Sequence, residues 1–202
     1  ATNEIYTLSL HDALPISYSM IPVHDTTLRA FVAVGPGEQL DGAKYPWGWQ
    51  ETDFADSDWP QARVVERAAP RGLHDASTHW LLIPRTIPAM ESTPHPLGRI
   101  ARSQDIQVGD DFIKDSQPLT IPADKTVSIL LDQTHLTMGY PELTLSGGKE
   151  AKIKLTYAEA LVDDKFEKGN RDSIEDRKII GYFDIFTADG GTHRLFRPLW
   201  LR

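Results

Sequence analysis

The stretch KIKLTYA, residues 152–158, decides the fold class of this chain. Apolar side chains occupy every second position, at Ile153, Leu155 and Tyr157, and lysine or threonine stands between them. Alternation with a period of two is typical of a β-strand that buries one face and exposes the other. We therefore predict a half-buried strand at this position.

The sequence on either side predicts two hairpins closed by glycine turns. Before the strand, ELTLSGGKEA (142–151) shows the same alternation and then turns at 146–148, where two glycines can supply positive φ. Further along, KIIGYFDIFTA (178–188) and THRLFRPLW (192–200) surround a second glycine turn. We expect the two segments that flank each turn to pair with one another.

Shorter apolar runs predict further strands, at 28–34, 62–66, 79–84 and 126–132. The chain contains 14 glycines and 14 prolines, which divide it into short elements, and it shows no long amphipathic helix and no fixed repeat. Short strands punctuated in this way favour antiparallel sandwiches. The sequence thus predicts an all-β fold with two partial antiparallel β-sandwich or jelly-roll domains.

The domain boundaries follow from the prolines and from the length of the chain. Pro88, Pro94 and Pro96 interrupt regular pairing, so we interpret residues 91–104 as a Pro-rich linker. It separates a partial N-terminal sandwich at 18–90 from a second sandwich, a jelly roll, at 105–202. A complete sandwich commonly needs about 100 residues. We expect the first domain to lack strands and the second to be truncated at its C-terminal end.

The first residues have the character of a cloning scar. The stretch EIYTLSLHDALPI, residues 4–16, back-translates to a DNA string that looks like a common sequencing adaptor. It is not a secretory signal, because no Lys or Arg precedes Arg29 and His11-Asp12 interrupts the apolar run. We interpret residues 1–17 as foreign to the fold, and we expect the chain to be a fragment of a longer protein.

Composition excludes several classes of function. The chain has 21 Lys and Arg against 29 Asp and Glu, a net charge of -8, and this excess of negative charge repels a phosphate backbone or an anionic lipid surface. It has no cysteine, so thiolate metal sites and cysteine nucleophiles are excluded. No apolar run approaches the roughly 20 residues of a membrane helix. We therefore expect neither nucleic acid nor membrane as a partner.

One acidic stretch has the residue types of a binding loop. AEALVDDKFEKGNRDSIEDRK (158–178) offers oxygen ligands for a hard cation such as calcium at Asp163, Asp164 and Glu167. It does not match the helix-loop-helix calcium motif, because Phe166 and Lys168 occupy ligand positions. A solvated loop explains the same charges. We assign no catalytic residue, since the carboxylates give no specific pair and the common nucleophile, zinc and phosphate motifs are absent.

Several phrases in this chain, taken in order, resemble one protein family. They are GYPELT (139–144), LTYAEAL (155–161), KGNR (168–171), GYFD (181–184) and FRPLW (196–200). Upstream, YPWGWQETDFADSDWPQARVV (45–65) and WLLIPRTIPAMEST (80–93) are similar to the same family. The whole set resembles the accessory β-sandwich region of bacterial α-L-rhamnosidases, over residues 21–202.

The resemblance implies a supporting role in an inverting glycoside hydrolase that removes terminal α-L-rhamnose from glycosides or polysaccharides. In that family the catalytic carboxylates lie on a downstream α/α barrel, which this chain lacks, so we expect the chain alone to be inactive. Its partners would be the missing barrel and a rhamnose-containing glycan. No cofactor is required, and calcium is an optional ligand. A periplasmic or secreted location is favoured, although the sequence leaves the compartment open.

Glu159, Asn170 and Arg171 are the candidate sugar-binding residues, because carboxylate and amide oxygens accept sugar hydroxyl protons and a guanidinium donates. Two other functions stay open. A stand-alone carbohydrate-binding module would use these residues together with aromatic faces at Trp47, Trp49, Trp59 and Trp80, which fill a small core on the plainer interpretation. A purely structural scaffold would instead expose an apolar patch that packs on the barrel.

Overall fold

The computed structural model describes residues 4–7, 18–21, 36–61, 63–67, 69–70, 81–82, 84–114 and 117–202. Within these ranges the chain is all-β, with twelve strands and a single short helix, α1 (Asp110–Ile113). The all-β prediction is confirmed, and the sandwich or jelly-roll arrangement stays a prediction. Within the same ranges, no helix has both the length and the apolar character needed to cross a membrane.

The chain divides into two compact units. The first comprises Ala1–Ser17 and Lys44–Thr93, and the second comprises Tyr18–Ala43 and Pro94–Arg202. In the first unit, β1 (Glu4–Thr7) pairs antiparallel with β4 (Arg63–Arg67), and β5 (Ala69–Pro70) pairs parallel with β6 (Leu81–Leu82). The predicted boundaries at 1–17, 18–90, 91–104 and 105–202 stay predictions, because a set of contacts defines a compact unit but does not define an independently folding domain.

In its described residues, the second unit contains three sheets. Its four-stranded sheet has the order β10 (Lys152–Tyr157), β11 (Tyr182–Thr187), β3 (Gly37–Asp41) and β2 (Tyr18–Ile21), with β11 and β3 parallel and the other pairs antiparallel. Two antiparallel pairs complete the unit: β7 (Arg99–Gln104) with β8 (Ser128–Asp132), and β9 (Leu143–Leu145) with β12 (Arg194–Phe196).

The predicted strand at 152–158 is β10 (Lys152–Tyr157), and exposed and half-buried residues alternate over its first four positions as the sequence predicts. Thr156, which the alternation places toward water, is half-buried. The runs at 62–66 and 126–132 contain most of β4 and all of β8, and the run at 79–84 contains β6. The predicted strand at 28–34 lies outside the described residues.

The two predicted hairpins are wrong about which strands pair. β9 pairs with β12 and β10 pairs with β11, so each glycine turn joins strands of different sheets. The register nevertheless stays in step from Leu143↔Phe196 through to Tyr157↔Tyr182. The two halves are therefore one long antiparallel ribbon, which bends at the glycine turns and contributes to two sheets.

Backbone hydrogen bonds between the two turns explain the bend. The Gly147 N–H donates to the Gly191 carbonyl at 2.8 Å, and the Glu150 N–H donates to the Ala188 carbonyl at 2.8 Å. Gly147 and Gly148 both have positive φ, which an L side chain adopts at a cost. The turns thus lie side by side and continue the ribbon, and neither of them reverses it.

The buried core of this unit lies where the ribbon bends. Phe186 of β11 is fully buried, Phe196 of β12 is nearly so, and their rings lie 5.1 Å apart between centroids with a tilt of 31°. Aromatic pairs at this spacing add stabilisation beyond the area they bury. The contact holds the two-stranded β9–β12 sheet against the four-stranded sheet, and it sets the position of the segment that follows β12.

Candidate functional site

Residues 158–181, here called the tip loop, connect β10 to β11 at the end of the ribbon. Leu161 and Val162 are buried, and Val162 exchanges two backbone hydrogen bonds of 2.9 Å with Lys178. This bridge closes the base of the loop. The polar residues singled out from the sequence therefore lie on a loop with a fixed origin.

Two of the predicted metal ligands make local contacts in the tip loop. One oxygen of Asp163, Oδ1, accepts the Lys165 N–H at 2.9 Å and the Glu167 N–H at 3.0 Å. The N–H of Glu167, and then that of Lys165, helps to hold the pKa of the Asp163 carboxyl below its usual range. Asp164 instead pairs with Lys178, with 2.7 Å between Oδ1 and Nζ. These contacts order the turn.

The third predicted ligand, Glu167, has an exposed side chain, and its backbone carbonyl accepts an Arg177 Nη1 hydrogen bond at 3.3 Å. In the part of the chain that the structure describes, no group of three or more His, Cys, Asp or Glu residues is arranged to hold a metal ion. The calcium assignment to Asp163, Asp164 and Glu167 stays a prediction.

The three candidate sugar-binding residues are all exposed on the tip loop. The Lys168 Nζ donates to Glu159 Oε2 at 3.1 Å, and Asn170 Oδ1 accepts the Asp172 N–H at 2.9 Å. The Arg171 guanidinium lies 3.8 Å from Asp132 Oδ1. The side chain of each residue thus meets a protein group, and each residue is exposed to solvent. Their assignment to a sugar stays a prediction.

The tip loop is also tied to the β7–β8 sheet. Arg102 of β7 donates to the carbonyls of Ile174 and Arg177, each at 3.2 Å. Asp132 of β8 pairs with Arg99 at 2.8 Å, and the Thr134 N–H, and then Arg99, lowers the pKa of its carboxyl. These contacts join two sheets through the loop, so the loop has support on two sides.

A second cluster of polar residues is buried beneath the four-stranded sheet, and the sequence did not reveal it. Asp184 of β11 is completely buried and accepts three hydrogen bonds: from the Glu38 N–H at 2.8 Å, from Arg202 Nε at 2.8 Å and from Arg202 Nη2. The same Nη2 also donates to the Pro36 carbonyl at 3.1 Å. A buried carboxylate is tolerated only with partners of this kind.

Glu38 of β3 holds the segment that follows β12. Its Oε1 accepts the N–H groups of Leu199 and Trp200 at 2.8 and 3.1 Å, and its Oε2 accepts the Leu199 N–H at 3.0 Å. Burial is the main cause that raises the pKa of the Glu38 carboxyl, and these two N–H groups partly oppose it. The cluster therefore joins residues 199–202 to β3 and β11.

Two tyrosines border this cluster. The Tyr157 hydroxyl is buried, and among the described residues no group meets it in hydrogen-bonding geometry. Burial, and then the neighbouring Asp184 carboxylate, raises the pKa of this hydroxyl well above its ordinary value. Burial also raises the pKa of Tyr18, whose hydroxyl is bonded by the Trp200 side chain. Neither tyrosine is poised to act as an acid or base at neutral pH.

The aromatic residues of the first unit form pairs with one another. Trp47 packs on Tyr45 with ring centroids 4.6 Å apart, and Trp59 packs edge-on to Phe54 at 5.4 Å. Trp49 is 45% exposed and donates to the Tyr45 hydroxyl at 2.9 Å. Trp80 lies outside the described residues. Of the described tryptophans in this unit, Trp49 presents the most open ring face to a ligand.

The two clusters differ in what they can do chemically. The buried cluster sets two carboxylates around one guanidinium, and hydrogen-bond donors occupy its carboxylate oxygens, so it suits structural support. The tip loop instead exposes polar groups to solvent. Comparisons of this chain with protein-family models, with curated proteins and with solved structures find no match.

Proposed function

We propose that this chain is a noncatalytic β region of an α-L-rhamnosidase, in which it supports the catalytic barrel and binds carbohydrate through the tip loop. The proposal starts from the sequence phrases that resemble that family. The observation that carries it furthest is that four of these phrases, which are scattered along the sequence, are structural partners in two pairs.

The pairing runs through the whole ribbon. GYPELT (139–144) contacts FRPLW and the residues after it, through Leu143↔Phe196 and through two 2.9 Å backbone bonds between Gly139 and Arg202. LTYAEAL (155–161) contacts GYFD (181–184), through Leu155↔Asp184 and Tyr157↔Tyr182. KGNR (168–171) lies in the tip loop between them. A set of motifs that folds as one unit is a better guide to common ancestry than the same motifs considered separately.

The tip loop carries the binding part of the proposal. It is tied by Arg102 to the β7 strand and by the Val162–Lys178 bridge to its own base, so Asn170 and Arg171 are presented on a supported loop. A preorganised loop loses less conformational freedom when a sugar binds. Exposed amide and guanidinium groups give the donors and acceptors that sugar hydroxyls need.

Two measurements on the chain as it exists test this proposal. An aryl α-L-rhamnoside should not be hydrolysed by the pure chain, and measurable turnover would contradict the noncatalytic role. Calorimetry with L-rhamnose and with a rhamnoside, each with and without calcium, should show weak binding that is lost in Asn170→Ala and Arg171→Ala. Asp172→Ala is the matched control, since its side chain lies in the same loop outside the proposed set.

The scaffold function is supported by one separate observation. Exposed apolar side chains occur on both segments that the Gly139–Arg202 pairing brings together: Leu136, Met138, Leu195, Leu199 and Trp200. If the chain is purely a scaffold, it should self-associate as concentration rises, and it should give no heat with any rhamnoside. A chain that stays monomeric and binds rhamnose would contradict the scaffold function. A stand-alone binding module would also bind rhamnose, and it would do so without a catalytic barrel.

A further inference from the structure

Two histidines from separate parts of the second unit lie against one another at its surface. His95 belongs to the segment that precedes β7, and His135 belongs to the turn that follows β8. Their rings are 5.9 Å apart between centroids and inclined by 72°, and both side chains are exposed. Neither residue takes part in the tip loop or in the buried cluster.

The backbone on both sides of this pair is tied together by one side chain. The Gln133 amide nitrogen donates to the Pro96 carbonyl at 3.2 Å, and its oxygen accepts the Gly98 N–H at 3.2 Å. The turn is closed in addition by the Thr134 N–H, which donates to Asp132 Oδ1 at 2.7 Å. The two imidazoles are therefore held near one another by contacts that involve neither ring.

Hydrogen bonding at one nitrogen leaves the other nitrogen of each ring available. His95 Nδ1 lies 3.1 Å from the Pro96 carbonyl, which can only accept, so Nδ1 carries the hydrogen and Nε2 keeps its lone pair. His135 Nδ1 lies 3.4 Å from the Thr134 hydroxyl oxygen. Histidines that bind metals almost always donate their other ring N–H to an oxygen in this manner.

We propose that His95 and His135 form a two-imidazole site for a divalent transition-metal ion, with Nε2 of each ring as the ligand. Metal–nitrogen bonds of about 2.0–2.1 Å place two ring centroids about 5 Å apart on a tetrahedral ion, so the two exposed rings need to approach by only about 1 Å to share one. Imidazole suits zinc, copper and nickel, whereas calcium and magnesium prefer oxygen ligands. The remaining coordination positions are open to water or to an oxygen of a bound molecule. This site is independent of the rhamnosidase proposal.

The test is a titration of tag-free protein with zinc, nickel and copper chlorides, with calcium chloride as the control ion. The chain has seven histidines, and four of them lie outside the described residues, so binding is measured as a difference between variants. His95→Ala and His135→Ala should each weaken transition-metal binding at least tenfold. The double variant should bind one ion fewer per chain than the parent. His193→Ala is the matched control and should bind as the parent does.

A second measurement keeps the proposal falsifiable if a variant folds poorly. Continuous-wave EPR of the parent chain with one equivalent of copper should show hyperfine splitting from two imidazole nitrogens, and NMR with zinc should shift the Nε2 signals of His95 and His135. Equal affinities of the parent and the double variant would overturn the proposal. So would zinc-induced shifts confined to other histidines, or no binding of any of the three ions.

Discussion

The Arg202 guanidinium forms a two-point ion pair with the Asp184 carboxylate, from Nε to Oδ2 at 2.8 Å and from Nη2 to Oδ1 at 2.5 Å. Both side chains are buried, with 2% of Arg202 and none of Asp184 exposed. Paired geometry of this kind is the strongest form of a charged hydrogen bond. It connects Arg202, in the segment after β12, to β11, so removing either partner should destabilise the fold.

Replacing Asp184 by Ala should cost about 3–5 kcal/mol of unfolding free energy. It removes the two-point partner of the buried Arg202 guanidinium and leaves only the Glu38 carboxylate, whose Oε1 lies 3.6 Å from Nη2, as a counter-charge. Urea denaturation monitored by fluorescence measures this loss. The control is Asp164→Ala, which breaks the exposed pair with Lys178 and should cost far less, because water screens the two charges. Equal losses in the two variants would contradict the difference in burial.

The strand positions were predictable where the apolar pattern of one segment is enough to locate a strand. β10 follows from alternation, because the apolar residues of a half-buried strand repeat every two positions, and β8 follows from its short apolar run. The pairing was not predictable, because a glycine turn looks the same whether the ribbon reverses or bends there. Only the long-range register, with β9 against β12, distinguishes these two outcomes.

The buried cluster had one signal that could have revealed it. Asp184 shares a strand face with Phe186, since residues two apart point the same way, and Phe186 is fully buried. A carboxylate in phase with a core aromatic needs a cationic partner. The sequence does not say which arginine supplies it, because Arg202 approaches from the far end of the ribbon. The tip-loop carboxylates, in contrast, were found from the sequence, but the sequence does not determine what they bind.

The raised pKa of Glu38 predicts how stability depends on pH. A carboxyl that binds its proton more tightly in the folded state contributes stability that is fully present below its unfolded pKa, near 4.5, and is lost as pH rises through the folded value. Glu38→Gln removes this titration and keeps an oxygen acceptor for Leu199 and Trp200. The parent should therefore lose stability relative to Glu38→Gln as pH rises from about 4.5.

Denaturation of both chains across this pH range measures the effect, and contributions of the other carboxyls cancel in the difference. A parent that gains stability relative to the variant with rising pH would show that the two backbone N–H groups outweigh the cost of burying the charge.

The turn at Asp163 should control access to the tip loop. Asp163→Ala removes the acceptor of the Lys165 and Glu167 N–H groups, so limited trypsin digestion should cut after Lys165 and Lys168 severalfold faster than in the parent. Asp164→Ala is the control, because it removes a neighbouring carboxylate that pairs with the Lys178 side chain and leaves both acceptor bonds of Asp163 in place. Similar rates in all three chains would show that the turn does not depend on Asp163.

Gly181 lies where the tip loop enters β11, and a side chain there has no room. A Cβ at this position would overlap the Tyr157 carbonyl oxygen, so Gly181→Ala should cost about 1–3 kcal/mol through displacement of the ribbon end. Gly139→Ala is the matched control, since no atom lies within 4 Å of its added Cβ. Denaturation of both variants measures the difference, and a neutral Gly181→Ala would contradict the close packing of these two segments.

Removing the Tyr157 hydroxyl tests whether it belongs to the buried cluster that it borders. A buried hydroxyl without a partner costs free energy, so Tyr157→Phe should leave the unfolding free energy unchanged or raise it by up to about 1 kcal/mol. The phenylalanine ring keeps the contact with the Arg202 guanidinium, which lies 5.8 Å from the ring centroid. Tyr18→Phe is the control and should lose about 1 kcal/mol, because the Trp200 side chain bonds its hydroxyl. A loss of unfolding free energy in Tyr157→Phe as large as in Tyr18→Phe would contradict this. It would show that the Tyr157 hydroxyl donates to Asp184 in solution and that Tyr157 belongs to the cluster.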